Sequence, residues 1–257
     1  MLNDTPRRLT HPNLNAPVLD WWARDYDHVF VVLNPFFRVP GTPPESVRWT
    51  TGGGSMLLAD TPDALTAEAP DGFDEVVKTT GRPVRWSHVA QGVGAMDFTH
   101  FARTVWLWVI GAEAPDHDLA LAEKLARYCQ AEGLYKPEED WLPLVLEPAL
   151  ARYLQAVGID EVTLWDEWRE TSLLCPSEAF SRDEPPVTLV DEGPVSAVSA
   201  PGLLLSWAQS DVAGLLAITE DMRARVDPAR HFEGFWASAR TGSAVFDPEE
   251  TAPALLH

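Results

Sequence analysis

Lysine, cysteine and long apolar runs are what this chain lacks. Three lysines (Lys78, Lys124 and Lys136) stand among 19 basic residues, against 39 acidic ones, and the net charge is −20. Such an exterior repels phosphate backbones and anionic lipid, which argues against nucleic-acid and membrane-surface binding. Cys129 and Cys175 are too few for a disulfide framework or a four-cysteine zinc site. The densest apolar run, Val105–Ala112, is far short of the roughly 20 residues a membrane-spanning helix needs. No apolar segment follows Arg7 and Arg8, and Leu255-Leu256-His257 carries no lipidation signal, so a cytosolic protein with reduced thiols is expected.

What is present fits an ordinary globular chain. At 257 residues it can bury a core without a covalent staple, and we expect one domain over 1–257. The acidity is uneven: residues 1–128 carry −5 and residues 129–257 carry −15. Tryptophan is abundant, with 11 residues spread along the chain. Trp106 and Trp108 differ by about 200° around a helix, so they face opposite sides.

Periodicity divides the chain. His28–Leu33 is a continuous β-branched and apolar run closed by Asn34-Pro35, the pattern of a buried strand. Residues 36–70 read as irregular, with Thr50–Ser55 the most flexible stretch, and Asp71–Thr80 as a short helix stopped by Gly81. Residues 87–158 are helix-rich: Ser87 and Asp97 are candidate caps, Pro115 and Pro137 candidate helix starts, and Gly133 and Gly158 stops. Residues 159–257 are strand-rich, with strands expected at Val162–Trp165, Val195–Ser199, Leu203–Trp207 and Val212–Ile218. The last two would be joined by a turn at Gln209-Ser210-Asp211. A closing hairpin around Thr241-Gly242 would pair Phe232–Ala237 with Ser243–Phe246. A run of helices followed by a run of strands indicates an α+β fold, with the central helical segment packed on one face of a mostly antiparallel C-terminal sheet.

Chemistry-bearing motifs are few. There is no G-x-S-x-G elbow and no H-E-x-x-H. Gly52–Gly54 lacks the Lys-Ser/Thr of a phosphate-binding loop, and Gly92-Val93-Gly94 lacks the third glycine of a dinucleotide fingerprint. His231-Phe232-Glu233 lacks the downstream P-C-x-x-C of zinc deaminases. Asp97, His100 and His117 form a candidate metal set, since residues three apart on a helix share a face; helix capping explains the same residues. Trp165, Asp166, Trp168 and Glu170 form a candidate ligand-binding set, in which tryptophan faces and carboxylates would frame a basic or polar ligand. The competing reading is a strand end with its tryptophans turned inward.

Four stretches carry a resemblance. They are Leu33-Asn34-Pro35-Phe36 with Val39-Pro40, Gly81-Arg82-Pro83-Val84-Arg85-Trp86, Tyr135-Lys136-Pro137-Glu138-Glu139, and Trp207 ahead of Phe232-Glu233-Gly234-Phe235. Over residues 28–246 the chain resembles a bacterial family of proteins catalogued as domain of unknown function 2711. The resemblance implies a soluble bacterial protein and transfers no catalytic residue. The residues themselves leave two readings. One is a non-enzymatic acidic module, immunity- or antitoxin-like, that binds a basic protein partner. The other is a metal-dependent or carboxylate-based enzyme. No cofactor is expected.

Overall fold

A computed structural model describes residues 6–14, 16–49, 67–190, 193–208 and 211–246. Its centre is a seven-stranded sheet in the order β11-β1-β10-β9-β8-β6-β7. The strands are β1 (His28–Leu33), β6 (Glu161–Trp165), β7 (Ser172–Pro176), β8 (Ala197–Ala200), β9 (Leu203–Ser206), β10 (Ala213–Ile218) and β11 (Gly234–Trp236). Every neighbouring pair is antiparallel. Two small ribbons stand beside it: β2 (Phe36–Arg38) with β5 (Arg82–Val84), antiparallel, and β3 (Val47–Arg48) with β4 (Ala67–Glu68), parallel. Seven α-helices are present among the described residues: α1 (Val18–Trp22), α2 (Phe73–Thr80), α3 (Trp86–Gly92), α4 (Phe98–Ile110), α5 (Leu119–Glu132), α6 (Glu147–Val157) and α7 (Glu220–Arg225). The fold is α+β.

The helices do not gather on one face, as the sequence suggested. Val29, Val31 and Leu33 of β1 and Leu215 and Ala217 of β10 face a core built with α1, α3, α4 and α5. Their neighbours Phe30, Val32, Leu216 and Ile218 face the opposite core with α6 and α7. Both faces are covered, and β1 from Val29, β9 up to Leu205 and all of β10 carry no charged or polar side chain, as doubly covered strands require. Nor is the sheet purely C-terminal: β1 sits between β10 and β11.

Helix ends follow their side chains. Asp97 Oδ1 accepts from the N–H groups of Thr99 and His100, and Gly111 closes α4 at φ 64°. The helix expected from Pro115 begins later, at Leu119, because Asp118 supplies the cap by accepting from the Leu121 N–H. The helix expected over Asp71–Thr80 forms as α2 but starts at Phe73, and α6 ends on Gly158.

Two expectations fail for identifiable reasons. Pro137 opens no helix. The peptide groups of this stretch bond across to the sheet instead: the Glu138 carbonyl accepts from Asn34, Asp140 N–H donates to the Asp211 carbonyl, and Leu142 N–H to the Val195 carbonyl. The closing hairpin is also absent. Gly234–Trp236 pairs with β1, and Gly242 makes only an isolated bridge with Pro17. Residues 36–70 are less irregular than expected, since β2 and β3 form there. The β9–β10 hairpin forms as expected, pairing Ser206 with Leu215, though Gln209 and Ser210 of its turn lie outside the described residues, as does Thr50–Ser55.

Candidate functional site at one end of the sheet

The strand ends β1, β6 and β9 and the strand starts β8 and β10 lie at the same end of the sheet. Asn34, the first residue after β1, organises it. Its N–H donates to the Val212 carbonyl, and its side-chain Nδ2 donates to the Glu138 carbonyl at 2.7 Å. Its Oδ1 accepts from Trp207 Nε1 at 2.9 Å, and its carbonyl accepts from Trp86 Nε1 at 2.7 Å. Asn34, Trp86 and Trp207 are all buried. Glu233 completes the cluster. Its carboxylate accepts from Trp86 N–H at 2.6 Å, Ser87 N–H at 3.0 Å and Ser87 Oγ at 2.7 Å. The start of α3 is thus capped from 146 residues away and not by its own Ser87. The four stretches that carry the family resemblance meet here, and each polar atom of Asn34 has a partner. This is architecture for the site beside it.

That site is a cavity of about 350 Å³ lined by Asp140, Trp141, Asp166, Glu167, Trp168 and Thr171, together with Leu189, Val190, Gly193, Pro194 and Ser196. Asp140 and Arg169 are the two non-glycine residues with positive φ among those described, at 75° and 60°. Asp140 lines the cavity; Arg169 stands in the β6–β7 turn that supplies Asp166, Glu167 and Trp168. Left-handed backbone costs a non-glycine residue on the order of 1 kcal/mol or more and persists where the surroundings impose it. At Asp166 both carboxylate oxygens shape the turn, accepting from Glu170 N–H at 2.8 Å and Thr171 N–H at 3.0 Å. Trp168 is 68% exposed beside them. Trp141 contributes a buried Nε1–H that has no partner among the described residues.

Beneath the turn, Arg169 is buried and anchors it. The guanidinium donates to the carbonyls of Leu9, Asp166 and Glu167 and, at 2.8 Å, to Ser206 Oγ. Burial draws its pKa down to about 10, so it remains charged at neutral pH. Ser206 Oγ also lies 3.1 Å from His11 Nδ1, and His11 Nε2 is 3.6 Å from Asp211 Oδ2. Serine, histidine and aspartate follow one another here in the order of a hydrolytic triad. Ser206 is fully buried, however, and its oxygen is already held by Arg169. The constellation therefore pins the segment around Leu9–His11 to the sheet. Burial, reinforced by the Arg169 charge, lowers the His11 pKa to about 3, so the ring is neutral.

Two groups shortly before Asp140 in the chain are tuned. Burial, followed by the charge of Asp140, pushes Glu139 up to about 7 against the pull of Lys136. Lys136 is itself lowered by burial and lies over the Trp108 ring at 4.1 Å.

The sequence-derived residues divide. Asp166 and Trp168 come together on the cavity wall. Trp165 does not line it: its Nε1 donates to Ser199 Oγ at 2.8 Å and the ring packs into the α1/α3/α4/α5 core. Glu170 lends its N–H to Asp166 and is not on the wall. The metal set is not assembled. Asp97 caps α4, His100 Nε2 meets Asp118 Oδ2 at 3.0 Å, and His117 has a buried Nε2 without a partner among the described residues. Among the described residues no group of three or more His, Cys, Asp or Glu is gathered as a metal ion would require. Asp140 and Trp141 were missed, because Glu138-Glu139-Asp140 carries the signature of a helix start. Cys129 and Cys175 are buried thiols, and no described helix is long and apolar enough to cross a membrane.

Fold and site together define an α+β protein with a carboxylate- and tryptophan-lined cavity at one end of an antiparallel sheet. The chain belongs to the family of proteins of unknown function DUF2711, which it matches over residues 14–244. No curated protein and no solved structure matches it.

Proposed function

We propose that the protein is a binding module for a basic protein, masking it in the manner of an immunity protein or antitoxin, and that a lysine or arginine of the partner enters the cavity between Trp141 and Trp168. The observation that carries this reading is the cavity wall, which places Asp140, Asp166 and Glu167 with two tryptophans. A desolvated cation over an aromatic face gains about 2 kcal/mol or more, and carboxylates at the same site add charge-assisted hydrogen bonds. A net charge of −20 steers such a partner toward the molecule and adds rate more than affinity.

Calorimetric titration with N-acetyl-argininamide tests it. A Kd on the order of 1 mM is expected for so small a probe, weakened at least tenfold in the D140N/E167Q double variant. Absence of heat at tens of millimolar probe, or equal affinity in the variant, refutes the reading. A carboxylate-based enzyme is the second reading, favoured by one observation, the neutral-range titration of Glu139 beside Asp140.

A further inference from the structure

We infer that the basic partner docks as an added β-strand on the open edge of β7, with its cationic side chain reaching the cavity; this rests on the cavity reading above. The strand β7 is the last in the sheet and pairs with β6 alone, in unbroken register from Ser172 to Pro176. Among the described residues no other segment is backbone-bonded to it. An edge strand offers a row of unpaired N–H and C=O groups, and proteins normally block it with lysine, an inward charge, a bulge or cover. Here no basic residue or bulge interrupts the strand, and its one proline, Pro176, is at the far end. Leu173 and Leu174 point to opposite faces and are 38% and 60% exposed.

The surroundings select the occupant. Glu161, Glu167, Glu170 and Glu178, all exposed, flank the strand. A second copy of this chain would set those carboxylates against their own like, which is destabilising across strands. A basic extended segment meets them favourably and finds apolar contact on Leu173 and Leu174. The edge is also continuous with the cavity, since Trp168 and Thr171 line the cavity and Ser172 begins β7. Five residues of strand span about 17 Å, enough to hold four or five residues of the partner while the next reaches the cavity. Leu173 shares its sheet face with Cys175, which packs in the α6 core together with the cavity residue Leu189. Alternate partner side chains would therefore fall on the cavity's side of the sheet.

The test uses a ten-residue peptide alternating arginine and valine, and two isomers of it N-methylated at odd or at even amides. All three carry the same charge, so long-range attraction to an acidic surface cancels in the comparison. Strand addition requires the peptide to donate from one set of amides only. The parent peptide is expected to bind with micromolar Kd, one isomer to match it, and the other to lose at least tenfold. Hydrogen exchange at 172–176 should slow on binding. If both isomers bind like the parent, strand addition is overturned while the cavity reading stands. The same holds if N-acetyl-argininamide binds and the peptide does not. If neither probe binds, both readings fall.

Discussion

Asn34 is the residue on which most of the site's architecture converges, and its replacement has a calculable cost. Asn34→Leu would leave the buried Trp207 Nε1–H and the Glu138 carbonyl without their partners. Each buried group so orphaned costs about 1–3 kcal/mol, so we expect a loss of roughly 3–5 kcal/mol, read as a lower urea midpoint at unchanged slope. A loss under 1 kcal/mol would show that the hub is dispensable. Glu139 and His11 set opposite pH limits. Glu139 has a folded pKa of about 7, raised from its ordinary value, so the protonated carboxyl is the form the fold prefers. Its contribution is full below about pH 4.5 and is lost as pH rises through 7. Glu139→Gln should therefore raise stability by roughly 1–2 kcal/mol at pH 8 and leave it unchanged at pH 4.5, with thermal melts at the two pH values as the check. His11 runs the other way: its folded pKa of about 3 lies below the unfolded value, so stability falls as pH drops from about 6.5 toward 3. At pH 5 the cost is about 2 kcal/mol, and His11→Gln should flatten that slope in acid denaturation curves. At this scale the sequence revealed residue types but not partners. Asp166 and Trp168 could be named because acids and tryptophans were dense in one short stretch. Asp140 and Trp141 could not, because the contacts that divert residues 138–142 from a helix come from Asn34, Asp211 and Val195, all far away in the chain.

Elements whose signals are local were legible, and those joined by distant contacts were not. The stop at Gly133, the Asp97 cap and the β9–β10 hairpin follow from residues within a few positions. The placement of β11 against β1 does not, because it depends on Gly234: a Cβ there would run into the Val31 carbonyl oxygen. The sorting of helices onto two faces was likewise hidden, although the apolar runs Val29–Leu33 and Ala213–Ile218 are what a doubly covered strand requires. A contact between α2 and α6 offers the sharpest test of an element junction. Lys78 and Glu147 are 0% and 1% exposed, and their charges are 2.7 Å apart. Lys78 also donates to the carbonyls of Ala179 and Pro185, tying the segment after β7 to the same point. Burial raises the Glu147 pKa while Lys78 draws it back. Removing one partner strands the other charge in the interior, so Lys78→Met should cost about 3–5 kcal/mol. The double variant Lys78→Met/Glu147→Met should recover most of that loss, because well-packed apolar residues replace a buried ion pair at little net cost. A double variant no more stable than the single one in urea unfolding would show that the carbonyl contacts of Lys78, and not its charge partner, hold the junction.

The whole molecule is acidic enough that any basic probe will be attracted to it, so the site must be separated from the overall field. Neutralising Asp140 and Glu167 changes the net charge of −20 by only two. So does neutralising Glu75 and Glu113, two exposed acids away from the cavity wall. Long-range attraction depends on the summed charge and is screened beyond about 10 Å at 0.1 M salt, so it cannot tell these variants apart. Short-range recognition can. Asparagine suits the left-handed backbone at position 140, so Asp140→Asn removes charge without disturbing the turn. We expect Glu75→Gln/Glu113→Gln to bind the arginine–valine peptide as the unaltered protein does, with the same decline in association rate as salt rises. Asp140→Asn/Glu167→Gln should weaken the equilibrium at least tenfold, chiefly by faster dissociation, and the deficit should persist at 0.3 M salt where the field of the whole surface is largely gone. Surface plasmon resonance at three ionic strengths measures both rates. Equal losses in the two double variants, vanishing together as salt is added, would reduce the protein to a diffuse anionic surface and remove the cavity's claim to be where the partner is recognised.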